Sequence, residues 1–271
     1  MMKEIYKLVS EISLSNVLKR NTFQKVFEIL YGVGEKGISQ NLKVYILALI
    51  SWLVSLVSSV NWIIFPISST IITFTLLTVY CKRPRFLNDV AYTLATFLLC
   101  QNTVIFYLAS IKISENVILN RSVTLFYVLI CYFLSFYIVK IKLLDSIQES
   151  YFADSKNIIK SNAIKNIKLL SSILVLFVIL LISAMQLYRL NKWWIKSYNL
   201  EFLAGLNGTI LGNIFSIISV FIAIIIVLLF TMIPTLFLNS DIIVNGLLLR
   251  KYSEEFRKEY DFTKEEWYGE K

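Results

Sequence analysis

VYILALISWLVSLVSSVNWIIFPISSTIITFTLLTVYC, residues 44–81, runs for 38 positions without one Asp, Glu, Lys or Arg. A soluble core helix has no need of that much uncharged length. A bilayer span does, because hydrocarbon offers no water to solvate charge. Residues 202–240 repeat the feature over 39 positions. The chain therefore reads as an all-α, polytopic membrane bundle.

The 44–81 block is too long for one crossing: at 1.5 Å per residue it would reach about 57 Å, against a hydrocarbon core of about 30 Å. Asn61, Trp62 and Pro66 mark the expected turn, a polar residue and an interfacial aromatic followed by a helix breaker. Spans are expected over 44–60 and 63–80, and then over 87–109, 123–139, 169–188 and 209–232, six in all. Pro234 is expected to kink the last helix, which continues toward the cytoplasm. With the N terminus inside, 22 of the 27 Lys and Arg residues fall on the cytoplasmic side. That bias follows the positive-inside rule and places both termini in the cytoplasm, in the plasma (cytoplasmic) membrane. The organisation is a cytoplasmic amphipathic segment (1–43), a transmembrane bundle (44–249) with a cytoplasmic loop at 140–168, and a charged cytoplasmic tail (250–271).

Composition agrees. Mean hydropathy is +0.68 and 57% of residues are apolar, above the roughly 45–50% of soluble domains. The formal charge of +9 is what basic cytoplasmic loops produce, and no feature points to nucleic acid. The chain has no histidine, which excludes His-based triads, His-ligated metals and imidazole relays. Cys81, Cys100 and Cys131 stand singly and read as inert buried thiols. Neither a paired mid-span carboxylate nor an H-E-x-x-H motif is present, so no enzyme, metal site or cofactor is expected. The first 43 residues contain no continuous apolar stretch of signal-peptide type, so the first span is expected to act as the insertion signal.

The polar segments carry their own patterns. Ile5, Leu8, Val9 and Ile12 share one helical face, and Phe23, Val26, Phe27 and Leu30 share another. These helices are expected on the inner leaflet or against the bundle. Gly32-Val33-Gly34-Glu35-Lys36-Gly37 matches a dinucleotide fingerprint in letters only, since no strand is expected before it, and reads as a hinge. Lys156, Lys160, Lys165 and Lys168 form a cytoplasmic basic patch suited to anionic lipid or a phosphorylated ligand. In the tail, Thr263 and Glu266 have capping-box spacing.

Polar groups inside spans are functional candidates by default. Gln101 and Asn102 would line a water-filled path or cross-link helices. Asn213 would line the same path, Asn213 and Asp241 mark the two ends of the last long segment, and the Pro234–Asp241 region reads as a gate. Ala204, Gly208, Gly212 and Ser216 recur every four residues, a stripe for close helix packing within the bundle or between protomers. These features suggest a non-enzymatic, oligomeric channel or permease component, and the usage of Ile, Lys and Asn suggests a bacterial source. Two alternatives stand beside it. One is a membrane-embedded immunity or defence effector controlled by a cytoplasmic protein or ligand. The other is a structural subunit of a larger membrane complex.

Overall fold

The computed structural model describes residues 2–31, 34–57, 62–112, 115–152 and 225–269, with isolated positions between 165 and 218. Among these, every regular element is helical. The chain forms two compact units, residues 1–164 with 234–271, and residues 165–233. In the second, residues 225–231 are helical and Thr231 Oγ1 donates to the Val227 carbonyl at 2.7 Å. The first unit holds the long helices.

Three short helices open it: α1 (Met2–Glu11), α2 (Leu14–Arg20) and α3 (Phe23–Tyr31). Then come α4 (Gly34–Val57), α5 (Ile64–Cys81), α6 (Asn88–Ala109) and α7 (Val117–Tyr151). The chain closes with α8 (Ile233–Leu236), α9 (Ser240–Lys251), α10 (Ser253–Glu259) and α11 (Lys264–Tyr268). Four stretches are long and apolar enough to cross a membrane: Ile38–Val57, Ile64–Cys81, Arg85–Ala109 and Val117–Tyr151. Their outward faces are apolar. Ile71 is 62% exposed, Phe126 66% and Phe133 71%. Their buried faces carry Ser51, Ser69, Thr73, Asn102 and Ser135. Polar inside and apolar outside is the distribution a lipid solvent selects.

Several boundaries differ from the sequence reading, each for a local reason. Helix α4 already begins at Gly34, so Gly34 and Gly37 lie inside a helix preceded by another helix, not in a βαβ phosphate cradle. Pro66 does not break α5. It sits in the first turn, where its missing N–H is one of the unpaired donors anyway. The expected loop from Lys140 is helical as far as Tyr151, because Leu143, Leu144 and Ile147 bury into a second core. The expected proline kink is a full break. Helix α8 ends at Leu236, and α9 restarts at Ser240 under an Asn239 cap whose Oδ1 accepts from the Asp241 and Ile242 N–H groups.

That second core gathers the polar segments. Ile5 and Val9 of α1 and Ile12 just after it pack with Val26 and Leu30 of α3, Phe86, Leu144 and Ile147, and with Leu248, Phe256 and Trp267. Of the amphipathic faces read from the sequence, Ile5, Val9, Ile12, Val26 and Leu30 are buried in a cap at one end of the bundle, whereas Phe23 and Phe27 stay 50% and 45% exposed. Lys251 Nζ donates to the Val9, Ser10 and Ile12 carbonyls, each at 3.0 Å. It supplies charge-assisted bonds where helix α1 leaves its last acceptors open. The Tyr252 hydroxyl donates to Ile12 O at 2.5 Å and the Tyr260 hydroxyl to Asn21 O at 2.7 Å. Phe86 stacks on Trp267 with centroids 5.1 Å apart. The capping box of Thr263 and Glu266 forms as its spacing predicts. Gly269 ends α11 in the left-handed region at φ 78°, close against the Arg85 side chain.

Helix α7 and the α8–α9 segment run parallel. Contacts pair Ser135 with Thr235, Lys142 with Leu236 and Leu238, Ser146 with Asp241, and Tyr151 with Asn245, rising together along both.

Candidate functional site

Buried polar residues of the bundle line up along α7 and the helices facing it, and we call this line the seam. On α7, Asn120, Thr124, Ser135 and Ser146 are buried and Lys142 is half-buried. Their spacing keeps them on a single helical stripe. Asn120 to Ser146 covers about 39 Å of helix axis at 1.5 Å per residue, with Val128, Cys131 and Ile138 also buried between them and the Ser146 end lying beside the cap residues Leu144 and Ile147.

At the upper level Asn102 joins α4, α5, α6 and α7. Its Nδ2 donates to Ser51 Oγ at 2.9 Å and to Ser69 Oγ at 2.8 Å, with Thr73 Oγ1 at 3.4 Å. Its Oδ1 accepts from the Tyr132 hydroxyl at 3.1 Å. An amide nitrogen has two hydrogens, so the two short contacts satisfy it. One turn of α7 further on, the Thr235 hydroxyl donates to Gln101 Oε1 at 3.2 Å, and Ser135 Oγ lies 2.7 Å from it. Thr235 spends its only hydrogen on Gln101, so Ser135 is the donor in the second bond.

At the lower level the break between α8 and α9 leaves backbone carbonyls without helical partners. The Lys142 ammonium collects two of them, Leu236 O and Leu238 O, each at 2.7 Å. Below it the Ser146 hydroxyl donates to Asp241 Oδ1 at 2.5 Å. Irregular backbone at the edge of a bundle persists where protein groups or water satisfy it, and here a cation does.

Of the residues singled out in the sequence, Gln101, Asn102 and Asp241 all belong to this seam, and Pro234 stands beside it in α8. Gln101 and Asn102 are 1% and 0% exposed and cross-link helices in this arrangement. Asp241 is exposed at the end of the seam. Asn213, Ala204, Gly208, Gly212, Ser216, Lys156, Lys160 and Lys168 lie outside the described residues, and Lys165 is exposed on a helical turn of the second unit. The sequence reading missed Ser51, Ser69, Thr73, Tyr132, Ser135, Lys142 and Thr235. The pairs Ser51/Ser55, Ser69/Thr73 and Asn120/Thr124 at helical spacing were the available signal.

Electrostatics outside the spans is concentrated in the cap. Glu4 pairs with Lys140, whose hydrogen bond holds its carboxyl below the usual carboxylate range. Glu266 is lowered first by the Tyr31 hydroxyl and then by Thr263, and Glu254 first by Arg257 and then by Tyr268. No group of three or more His, Cys, Asp or Glu suited to a metal occurs among the described residues.

No family model matches the chain, and no curated protein and no solved structure matches it either.

Proposed function

We propose that this chain is a non-enzymatic transport component of the plasma (cytoplasmic) membrane, in which a solute or ion moves along the polar seam. The observation that carries the reading is the seam itself: buried Asn120, Thr124, Ser135 and Ser146 recur on one stripe of α7, interspersed with Val128, Cys131 and Ile138, and the stripe runs from the bundle into the cap. Polar groups are costly inside a membrane and concentrate along substrate and ion pathways. A discontinuous helix beside an ionisable group recurs at binding sites in transporters. Here the break after Leu236 faces Lys142. The hydrogen bonds of Asn102, Gln101 and Thr235 close the seam, and transport requires exchanging them for water or solute. The Lys142–Asp241 level is the gate.

The same reading holds six spans with both termini cytoplasmic. Helix α7 ends in the cap, and α8–α9 returns parallel to it from Thr235 at the level of Gln101. That parallel run fits one return crossing between the two, the role this reading gives to the expected span at 169–188, with the expected span at 209–232 leading on into α8–α9. The cap unites residues from the N terminus, from the 82–88 connection, from the end of α7 and from the tail, which are the segments richest in Lys and Arg. The positive-inside rule puts that side in the cytoplasm.

The test is solute and ion flux in liposomes containing the purified chain, compared with Gln101→Leu and Asp241→Asn. Wild-type flux altered by both substitutions, with assembly intact, supports the reading. Silent wild-type liposomes, or equal flux in all three, sink it.

A further inference from the structure

Where α5, α6 and α9 meet the cap, they enclose an open groove of about 630 Å³. Its walls are apolar, among them Leu76, Leu94, Leu98 and Leu247, and Lys82 and Arg250 stand among its lining residues. Along α6 the groove runs from Leu87 to Leu98, roughly 16 Å at 1.5 Å per residue, about half the ~30 Å hydrocarbon core and so one leaflet deep.

The three basic residues of the lining are not equivalent. Arg83 is committed to the protein: its guanidinium donates to Tyr80 O at 2.6 Å, Asn88 Oδ1 at 2.7 Å and Asn41 Oδ1 at 2.8 Å, and lies 3.6 Å over the Tyr80 ring. It builds the wall. Lys82 and Arg250 are exposed and form no ion pair with described residues. Two free cations at the polar end of an apolar, leaflet-deep groove complement one ligand chemistry: a phosphate diester carrying acyl chains.

We propose that this groove binds an anionic phospholipid of the cap-side leaflet, with its phosphate against Lys82 and Arg250 and an acyl chain along Leu94 and Leu98. The assignment needs the described helices to span a bilayer and does not depend on flux through the seam. The lipid would join α5 to the cap across Arg250 and so couple the bundle to the cap.

The test is native mass spectrometry of the full chain in detergent, titrated with phosphatidylglycerol and, separately, with phosphatidylcholine. Tight retention of phosphatidylglycerol is expected. The double variant Lys82→Gln/Arg250→Gln should lose roughly thirtyfold in affinity, two basic contacts contributing about fivefold each, with phosphatidylcholine binding unchanged. Ala91→Leu, which narrows the groove without touching its charges, should weaken both lipids. Equal retention of the two lipids by the wild type overturns the proposal, and so does undiminished phosphatidylglycerol binding in the charge variant. Competition by inorganic phosphate as effective as by the lipid overturns it as well, since the acyl groove would then contribute nothing.

Discussion

Replacing Gly246 with Ala tests how tightly the cap helix is seated on the bundle. A Cβ at position 246 of α9 would overlap Val90 Cγ2 and lie 3.0 Å from Val90 Cβ and Cγ1. Carbon atoms pack best at about 3.5–4.0 Å, so either α9 retreats or the Val90 side chain, stiff at χ1, has to turn away. Overpacking of this kind costs about 1–3 kcal/mol. The substitution also gains about 1 kcal/mol of helix propensity, which leaves a net loss of up to about 2 kcal/mol. Thermal unfolding in detergent, followed by tryptophan fluorescence, should show a midpoint lower by up to about 8 °C at 2–4 °C per kcal/mol. Val90→Ala removes both γ-methyl groups and should cost about 1.5 kcal/mol alone. In combination with Gly246→Ala it should recover stability, with a coupling of about 1 kcal/mol or more. A Gly246→Ala protein more stable than the wild type, or strictly additive effects in the pair, would refute the close approach of α9 to α6.

The other predictions concern the cap and the seam. Lys251→Met removes the cation from the end of α1 and should cost about 1–2 kcal/mol, read as faster hydrogen exchange in residues 2–12 with the spans unchanged. Lowered carboxyl pKa values at Glu4, Glu254 and Glu266 mean that their stabilising contribution is present above the unfolded value of about 4.3 and lost as pH falls through the lower folded values. Cap protection measured by exchange should therefore weaken below about pH 4.3, and less steeply in Glu266→Gln. Asn102→Ala removes two donated bonds and one accepted bond and should destabilise the bundle by about 2–3 kcal/mol at roughly 1 kcal/mol each, measured as a lower unfolding midpoint in detergent.

The membrane character and the core of each amphipathic helix were legible in the sequence, because uncharged length and helical periodicity are local properties. Ile5, Val9 and Ile12 bury as their spacing requires, and Thr263 caps α11 for the same reason. What covers those faces was not legible. Lys251 reaching the end of α1 joins residues some 240 apart, and no local pattern encodes that. The seam was half visible: amides at 101 and 102 stand out against an apolar span, whereas serine and threonine are common enough in membrane helices to pass unnoticed. Lys142 was counted as a loop charge because its helix was expected to end at 139. The buried Leu143, Leu144 and Ile147 carry the helix onward and turn that lysine toward the break after Leu236. Gly246 carried no signal at all, since only the position of Val90 makes it necessary.

The most direct test of transport along the seam uses Ser135, which is 1% exposed and hydrogen-bonded to Thr235 at its centre. Ser135→Cys is placed in a chain whose Cys81, Cys100 and Cys131 are replaced by Ser, and conductance is recorded in a planar bilayer before and after a charged, membrane-impermeant thiosulfonate. The account predicts that the reagent reaches Cys at 135 during transport and blocks the current, while the cysteine-free chain is unaffected. Conductance that persists after treatment, with position 135 unlabelled from either side, would contradict it.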